Sequence, residues 1–410
     1  ALIARLPDGA ERDALELNAQ PMFGLSLAAG RSYALPEVEH AYRRARVLCS
    51  RLGDEAAARF PVIRSGLVTY YLVRAQHRIS DQLAQEFVRA AENAIESGSP
   101  GNPELIAYHI DACRCLGYTR FFLGELEASH ASLERAITLF EAHKDQALEF
   151  GTPENPVLAT LAVMPLVLWL LGRPAEALRR HQEGLAFAQQ SNHPFNLAFV
   201  HSWATVFHQW RGMPEESEEH ARRGIEITSQ YRFDHWLRID KIHLGIAMAA
   251  RGRPAEGKAL MLETLPSRME AGMEAFTSYF LYGLATSHQA ANEPAAAIEV
   301  LEDALMQAKD HDEHFYMAEL YRLRGLLKLG RSPGALDDVD ADFVKALEIA
   351  RRQGARALEL PAAMSRHEFL SAKGRGTESR PALQAIFSTF TQGFELPDLT
   401  KAKELLSQTP

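Results

Sequence analysis

The chain has 410 residues, of which 47% are hydrophobic and 24% are charged, and this composition is that of a folded protein. Its formal net charge of −9 argues against nonspecific binding to nucleic acid or to acidic membranes, and no apolar run is long enough to span a bilayer. Three cysteines are too few for a disulfide framework, so we expect a reducing, cytoplasmic location.

The first 156 residues predict helices at irregular spacing. Apolar positions with helical periodicity place them at residues 13–27, 36–52, 60–73, 81–95, 105–122 and 127–143. Residues 144–156 contain Gly151, Pro153 and Pro156 and are interpreted as a longer surface loop between two pairs of helices.

A helix-breaking marker then recurs every 40 residues. Gly172, Gly212, Gly252 and Asn292 are each followed two residues later by a proline. Glycine or asparagine suits the left-handed position just past a helix, and proline suits the first turn of the next one. Each marker therefore predicts a tight corner between two helices.

The same period appears in the helices on either side of the corners. Second helices are expected to begin near Ala175, Glu215, Ala255 and Ala295. An aromatic residue opens each following first helix, at Phe195, Trp236, Phe276 and Phe315. We expect these rings to pack between neighbouring hairpins.

The C-terminal part predicts helices at residues 317–329, 339–351, 359–372, 381–390 and 399–406, the last of which would cap the array. No run alternates as a half-buried strand does. The sequence thus predicts an all-α fold, a tetratricopeptide-like α-solenoid (superhelix) of about nine helical hairpins with a C-terminal capping helix. We expect a single domain over residues 1–410, with irregular repeats at 1–156, regular 40-residue repeats at 157–353, and a final repeat and cap at 354–410.

Several segments carry a resemblance to a known family. They are residues 168–178 (Leu-Trp-Leu-Leu-Gly-Arg-Pro-Ala-Glu-Ala-Leu), 193–195, 318–325, 390–394 and 398–403. Together they resemble the C-terminal tetratricopeptide-like repeat region of large bacterial signalling proteins, over residues 36–403. In that family a class III adenylate or guanylate cyclase domain, or a kinase or DNA-binding domain, precedes a predicted ATPase and then the repeats.

This resemblance implies a sensor or protein-interaction region within a larger bacterial regulatory protein, and we expect the chain to be part of a longer one. The sequence contains neither a Gly-x-x-x-x-Gly-Lys-Ser/Thr phosphate loop nor a cyclase core with paired aspartates. We therefore expect the chain itself not to be an enzyme and to need no cofactor.

Candidate metal and catalytic residues are few. His201 and His208 lie seven residues apart on one helix face, but two ligands do not make a zinc site, and buried packing is the favoured interpretation. Ser202 points away from both histidines, so no nucleophile has an evident base. The sequence predicts no metal site and no catalytic residue.

The remaining candidate is the concave wall that first helices line in tetratricopeptide folds. Placing the corners in register puts eight residues on or near it, namely Arg114, Tyr118, Ser202, Gln209, Trp210, Tyr279, Tyr282 and Gln289. Aromatic and amide groups suit a peptide or a small ligand. The alternative is that Trp210 and the tyrosines pack between hairpins.

Two functions follow from this interpretation. The first is a non-catalytic domain that binds a protein or peptide and relays this to other domains of its parent chain. The second is a small-molecule sensor whose effector binds in the concave groove, as in the helical inducer-binding domain of the maltose-operon activator, which this architecture resembles. Neither function involves nucleic acid or a membrane.

Overall fold

The computed structural model describes residues 3, 6–52, 61–98, 101–331 and 336–408. Within these ranges it contains 19 α-helices and no strand, which confirms the predicted all-α class. The helices of the irregular N-terminal part are α1 (Ala10–Gly30), α2 (Pro36–Leu52), α3 (Pro61–Val73), α4 (His77–Ser97), α5 (Pro103–Phe122) and α6 (Leu126–Ala142).

The regular repeats contribute α7 (Pro156–Leu170), α8 (Pro174–Ser191), α9 (Pro194–Trp210), α10 (Pro214–Tyr231), α11 (Asp234–Ala250), α12 (Pro254–Glu270), α13 (Thr277–Ala290), α14 (Pro294–Asp310), α15 (Met317–Arg331) and α16 (Leu336–Gln353). The chain ends with α17 (Arg356–Ser371), α18 (Gly376–Phe387) and α19 (Pro397–Ser407). Consecutive helices pack in pairs from α1 with α2 to α17 with α18, and α19 packs on α17 and α18. The predicted start of the third helix at Phe60 lies outside the described residues.

The 40-residue markers form corners of the predicted kind. Gly172, Gly212 and Gly252 have φ values of 76°, 70° and 81°, and Asn292 has a φ of 60°. These left-handed residues end one helix and allow a proline to start the next helix two residues later. The second helices therefore begin one residue earlier than the sequence predicts, at the proline itself.

The superhelix closes on itself through backbone contacts between distant repeats. The amides of Glu274 and Ala275, after α12, donate to the carbonyl of Val73 at the end of α3, at 2.9 and 3.0 Å. The amide of His314, after α14, donates to the carbonyl of Phe122 at the end of α5, at 2.8 Å. The N-terminal hairpins thus lie against corners about 200 residues further along the chain.

Aromatic rings fill the axis of the superhelix where these contacts form. We call them the axial cluster, which consists of Phe121, Phe122, Trp203, Trp210, Phe276, Tyr279, Phe315 and Tyr316. Its rings contact one another with centroid separations from 4.8 to 6.5 Å. Two of the predicted inter-hairpin aromatics, Phe276 and Phe315, belong to it and stack at 5.0 Å.

The axial cluster changes the expected shape of the concave side. Side chains occupy the middle of the superhelix, so it is not one continuous open groove. Two separate hollows remain, one on each side of the cluster. Among the described helices, none is both long enough and apolar enough to cross a membrane.

Candidate functional site

The first hollow, which we call the inner cavity, has a volume of about 90 Å³. Residues of α3, α5, α9, α11, α12 and α13 line it, together with residues of the loops that hold Tyr33, Glu154 and Phe276. Most of its wall is apolar, and its polar side chains are Tyr33, Thr69, Arg114, Tyr118, Glu154, Ser202, Trp203, His235, Trp236, His243 and Arg268.

An ionic group forms one wall of the inner cavity. Arg114 donates from Nε to Oδ1 of Asp111 at 2.8 Å, and its Nη1 lies 3.6 Å from Oε1 of Glu154. Tyr33 donates to the other oxygen of Glu154 at 3.0 Å. Burial raises the pKa of Glu154 above its usual value, although Arg114 acts in the opposite direction. This part of the wall therefore holds one guanidinium group between two carboxyl groups.

Arg268 forms the opposite wall and has no such counterion. Its side chain is buried, donates from Nη1 to Oγ1 of Thr277 at 3.0 Å and to the carbonyl of Ala275, and lies 4.8 Å from the ring centroid of Phe280. Among the described residues no carboxylate oxygen lies within 4.0 Å of its guanidinium group. Burial lowers its pKa to about 10, so it is still a cation at neutral pH.

Several buried nitrogen atoms of residues that line the cavity have no hydrogen-bond partner within the described part of the chain. They are Nε1 of Trp203 and Trp236, Nδ1 of His235 and His243, and Nε of Arg268. A buried polar group without a partner costs about 1–3 kcal/mol. Burial lowers the pKa of His235 and of His243 to about 3, so both imidazoles are neutral at physiological pH. Residues of the cavity wall thus contain several buried nitrogen atoms that have no hydrogen-bond partner among the described residues.

The second hollow, which we call the outer pocket, is larger, at about 340 Å³. It lies between the end of α9, the first turns of α15, and the C-terminal helices α17 and α19. Trp210 stacks on Tyr316 at 5.4 Å with an angle of 10° between the rings, and Tyr282 meets Tyr316 edge-on at 5.0 Å. These three rings form an aromatic wall.

A hydrogen-bonded network stands beside the aromatic wall. Arg322 donates from Nε and Nη2 to the two oxygens of Glu319, at 2.7 and 2.6 Å. Tyr282 also donates to Glu319 at 3.1 Å, and Nη1 of Arg322 reaches Oγ of Ser365 at 3.2 Å. Tyr282 is thereby held in place by the same carboxylate that orients Arg322.

Two further cations lie at the outer pocket. Lys401 is exposed and pairs with Glu368. Arg211 is half-buried, and no carboxylate oxygen of the described residues lies within 4.0 Å of it. Burial lowers the pKa of Arg211 below its usual value. The pocket thus combines aromatic surface with a guanidinium group that has no ion-pair partner.

The eight residues predicted for the concave wall divide between the two hollows. Arg114, Tyr118 and Ser202 line the inner cavity, and Gln209, Trp210 and Tyr282 line the outer pocket. Tyr279 belongs to the axial cluster between them, and Gln289 is exposed at the end of α13 and lines neither hollow.

The three aromatic residues that the sequence places near the concave wall with residue numbers above 200, Trp210, Tyr279 and Tyr282, differ in burial. Trp210 and Tyr282 are half-buried, but Tyr279 is only 2% exposed because the axial cluster surrounds it. Its hydroxyl donates to Oε1 of Gln209 at 2.5 Å, and Nε2 of Gln209 donates to the carbonyl of His243 at 3.2 Å. Gln209 therefore links a residue of the inner cavity to the outer pocket.

Reasoning from the sequence missed most of the remaining lining. Trp203 follows Ser202 directly, and its presence on a first helix could have identified it as a candidate. Arg268 lies on a second helix, where the repeat pattern predicts no ligand contact. Ser365 and Lys401 belong to helices predicted only as the end of the array, and nothing in their spacing indicates that the superhelix brings them to Trp210.

Comparison with known proteins supports the fold and leaves the function open. No model of a known protein family matches the chain. An uncharacterized protein of Rhizobium meliloti (strain 1021) is 26% identical over 289 residues, which make up 70% of this chain and 28% of that protein. The chain thus corresponds to less than a third of the length of this curated relative.

Two solved structures are similar over nearly the whole chain. A Rap protein complexed with competence and sporulation factor has a TM-score of 0.59 at 11% identity, and the match covers 97% of this chain and 100% of that one. The apo form of the quorum sensor NprR from B. thuringiensis has a TM-score of 0.51 at 14% identity, covering 93% and 99%. At such identities the likeness concerns the fold alone, and the chain has the fold of a tetratricopeptide-like α-solenoid.

Proposed function

We propose that this chain is a non-catalytic helical-repeat domain that binds a short segment of a protein partner in the outer pocket, as part of a larger bacterial signalling protein. The observation that carries the proposal is the aromatic wall of Trp210, Tyr282 and Tyr316 beside Arg211, which has no ion-pair partner in the part of the chain that the structure describes. Aromatic residues and arginine dominate the energetics of protein interfaces.

The size and charge of the outer pocket narrow the kind of segment that fits. A volume of about 340 Å³ is at the lower end for ligand sites and suits one or two side chains rather than a whole helix. Arg211 favours a carboxylate next to the side chain that enters, since a guanidinium group pairs well with a carboxylate. We therefore expect an apolar or aromatic residue followed by an acidic residue or a C-terminal carboxylate.

Two solved structures and one relative support this proposal. The Rap protein with a similar fold is solved in complex with competence and sporulation factor, and NprR is named as a quorum sensor. The relative from Rhizobium meliloti is much longer than the matched region, in keeping with a repeat domain inside a larger protein. Fold likeness by itself does not transfer a function, so binding has to be measured.

The proposal predicts that the outer pocket decides peptide binding. Peptides selected from a random display library on the purified chain should bind about tenfold or more weakly to Trp210→Ala, which loses the stacked indole. Ala357→Phe should weaken them to a similar extent, because half-buried Ala357 lines the pocket and a larger side chain fills it without deleting a contact. Fluorescence anisotropy of labelled peptides measures both affinities.

Tyr231→Ala serves as the control, since Tyr231 is an exposed aromatic residue, 47% accessible, that lies outside both hollows. Trp210→Ala removes a ring from the axial cluster and is expected to lower the melting temperature. If this variant unfolds, Ala357→Phe alone tests whether peptides bind in the outer pocket. Peptides that bind Ala357→Phe and the parent equally well would show that the outer pocket is not the binding site.

A small-molecule sensor is a second candidate, and the inner cavity favours it. Among the described residues no carboxylate oxygen lies within 4.0 Å of the Arg268 guanidinium group, which therefore suits an effector that carries a carboxylate. We expect that a small carboxylate metabolite raises the melting temperature of the parent as its concentration increases.

Arg268→Met should abolish that shift. Without ligand it should lower the melting temperature, because the hydrogen bonds to Thr277 and to the carbonyl of Ala275 are lost, so the ligand-induced shift is measured against the same variant without ligand. Arg223→Met, at an exposed arginine, should keep the shift. A shift that survives Arg268→Met would contradict an anionic ligand at this residue.

A further inference from the structure

Four histidines from three consecutive helices meet at a place where none of them lines either hollow. They are His181 on α8, His201 and His208 on α9, and His220 on α10. His201 and His208 share one helix face, and the superhelix brings the other two histidines to them from the neighbouring helices. We call these residues the histidine cluster.

The ring nitrogens of the cluster lie close together. Nε2 of His208 is 3.2 Å from Nε2 of His181, and one ring nitrogen from each of His181, His208 and His220 lies within 4.8 Å of the others. In a tetrahedral zinc site with Zn–N distances of about 2.0–2.1 Å, two ligand nitrogens are about 3.3 Å apart. The pair His181 and His208 already has this separation. The rings of His208 and His220 stack, with centroids 5.1 Å apart and 13° between their planes, so the His220 ring has to turn before its nitrogen can face the same ion.

His201 contacts the ring of His220. Its Nδ1 lies 2.8 Å from Nδ1 of His220, which leaves Nε2 as the free nitrogen of His220. Histidines that bind metals usually donate the other ring N–H to a neighbour, and this contact fixes the tautomer. His201 is thus placed to orient a ligand without contacting the metal.

From this geometry we propose that His181, His208 and His220 bind a late transition-metal ion, with Zn²⁺ as the reference case, and that His201 positions His220. Imidazole ligands suit Zn²⁺, Cu²⁺ and Ni²⁺ and not Mg²⁺ or Ca²⁺, which take oxygen ligands. Three protein ligands leave a fourth position for water. The bound ion joins hairpin α7–α8 to hairpin α9–α10, so it stabilises the junction between two repeats.

The surroundings allow an ion to enter and to stay. His181 and His208 are 6% and 7% exposed, whereas His201 and His220 are half-buried and give access from the surface. Two positive charges near the cluster disfavour a bound cation. They are Arg211, whose Nη1 lies 3.5 Å from Nδ1 of His208, and Arg223. The negative charges of Glu216 and Glu219 on α10 lie near His220 and favour a cation.

The test uses the full chain with any histidine tag removed and metal stripped by a chelator. Titration with Zn²⁺ against a chromogenic competitor should give one tight site, and Co²⁺ should give the intense visible absorption of tetrahedral coordination. Zn²⁺ should also raise the melting temperature. His181→Gln, His208→Gln and His220→Gln should each weaken binding about 100-fold or more, and His201→Gln about 10- to 100-fold, the range for a positioning residue.

His193→Gln is the control, since His193 is exposed in the corner before α9 and should bind as the parent does. Circular dichroism checks that each variant is folded, and half-buried His220 provides the deciding variant if substitution of buried His208 unfolds the chain. A parent chain that binds Zn²⁺ no more tightly than His220→Gln, or a His220→Gln that retains the Co²⁺ absorption, would overturn the proposal. The four rings would then only hydrogen-bond to one another.

Discussion

Replacing Asp240 with asparagine should make the protein more stable at pH 8, by an amount on the order of a few kcal/mol. Asp240 is completely buried on α11, and burial raises its pKa to about 8. Its Oδ1 shares a hydrogen bond with Oγ of Ser202, which also donates to the carbonyl of Ala198 at 3.1 Å. The hydroxyl of Ser202 has one proton and can donate to only one of these two oxygens. When Asp240 is protonated, its carboxyl group donates to Oγ of Ser202, and Ser202 donates to the carbonyl of Ala198.

The pH dependence of the protein's stability follows from the protonation of Asp240 in the folded and in the unfolded chain. An aspartate in the unfolded chain ionises near pH 3.9, whereas folded Asp240 stays protonated up to about pH 8. Between these values the folded state binds more protons, so the stability from this group is complete below about pH 4 and is lost as the pH rises to about 8. Asparagine keeps the shape of the side chain and removes this loss.

Melting temperatures of the parent and of Asp240→Asn at pH 5 and at pH 8 measure the effect. The difference between the two proteins should be small at pH 5 and reach several degrees at pH 8. Histidines such as His235, whose pKa is lowered by burial, titrate alike in both proteins, so their contribution cancels in the difference. A difference that does not change with pH would mean that Asp240 is ionised in the folded protein.

Gly257→Ala should destabilise the protein by about 3 kcal/mol or more, because α11 and α12 touch at this residue. A Cβ atom on Gly257 would lie 2.2 Å from the carbonyl oxygen of Gly245 and 3.0 Å from the amide of Ala249. Both contacts are with backbone, which cannot move aside as a side chain can. The hairpin would have to open by more than 1 Å, and its neighbours would lose packing.

Gly252→Ala, five residues earlier, is the matched control. Gly252 has a φ of 81°, and apart from Gly252 and its chain neighbours no atom of the described residues lies within 4 Å of the position of a Cβ there. Its substitution should cost only the left-handed penalty, about 1 kcal/mol. Denaturant midpoints followed by circular dichroism compare the two variants, and equal midpoints would contradict the close contact between α11 and α12.

The amino-acid sequence by itself determined the class of fold and the repeat. The step between Gly172, Gly212, Gly252 and Asn292 predicts corners, and the φ values confirm each of them. This prediction works because a helix end is a local event, decided by the conformational freedom of one residue and the fixed dihedral angle of a proline two residues later. The number of hairpins and the capping helix follow from the same local rules.

Tertiary structure alone decided what occupies the concave side. The curvature of the superhelix brings Val73 to Glu274 and Phe122 to His314, and this closure fills the axis with aromatic rings. It converts an expected groove into an inner cavity and an outer pocket, and it divides the predicted residues between them. A small rotation at each repeat accumulates over many repeats, and no short-range pattern encodes the sum.

The histidine cluster is a second feature that the sequence pattern predicts only in part. The sequence places His201 and His208 on one helix face, because seven residues make nearly two full turns. Only the packing of α8 and α10 against α9 adds His181 and His220, which are separated by 39 residues in the chain. The helical period therefore determines which residues share a helix face. Which faces meet is decided by the packing of neighbouring helices. That packing depends on side chains across the whole array, so the sequence pattern of one helix does not reveal it.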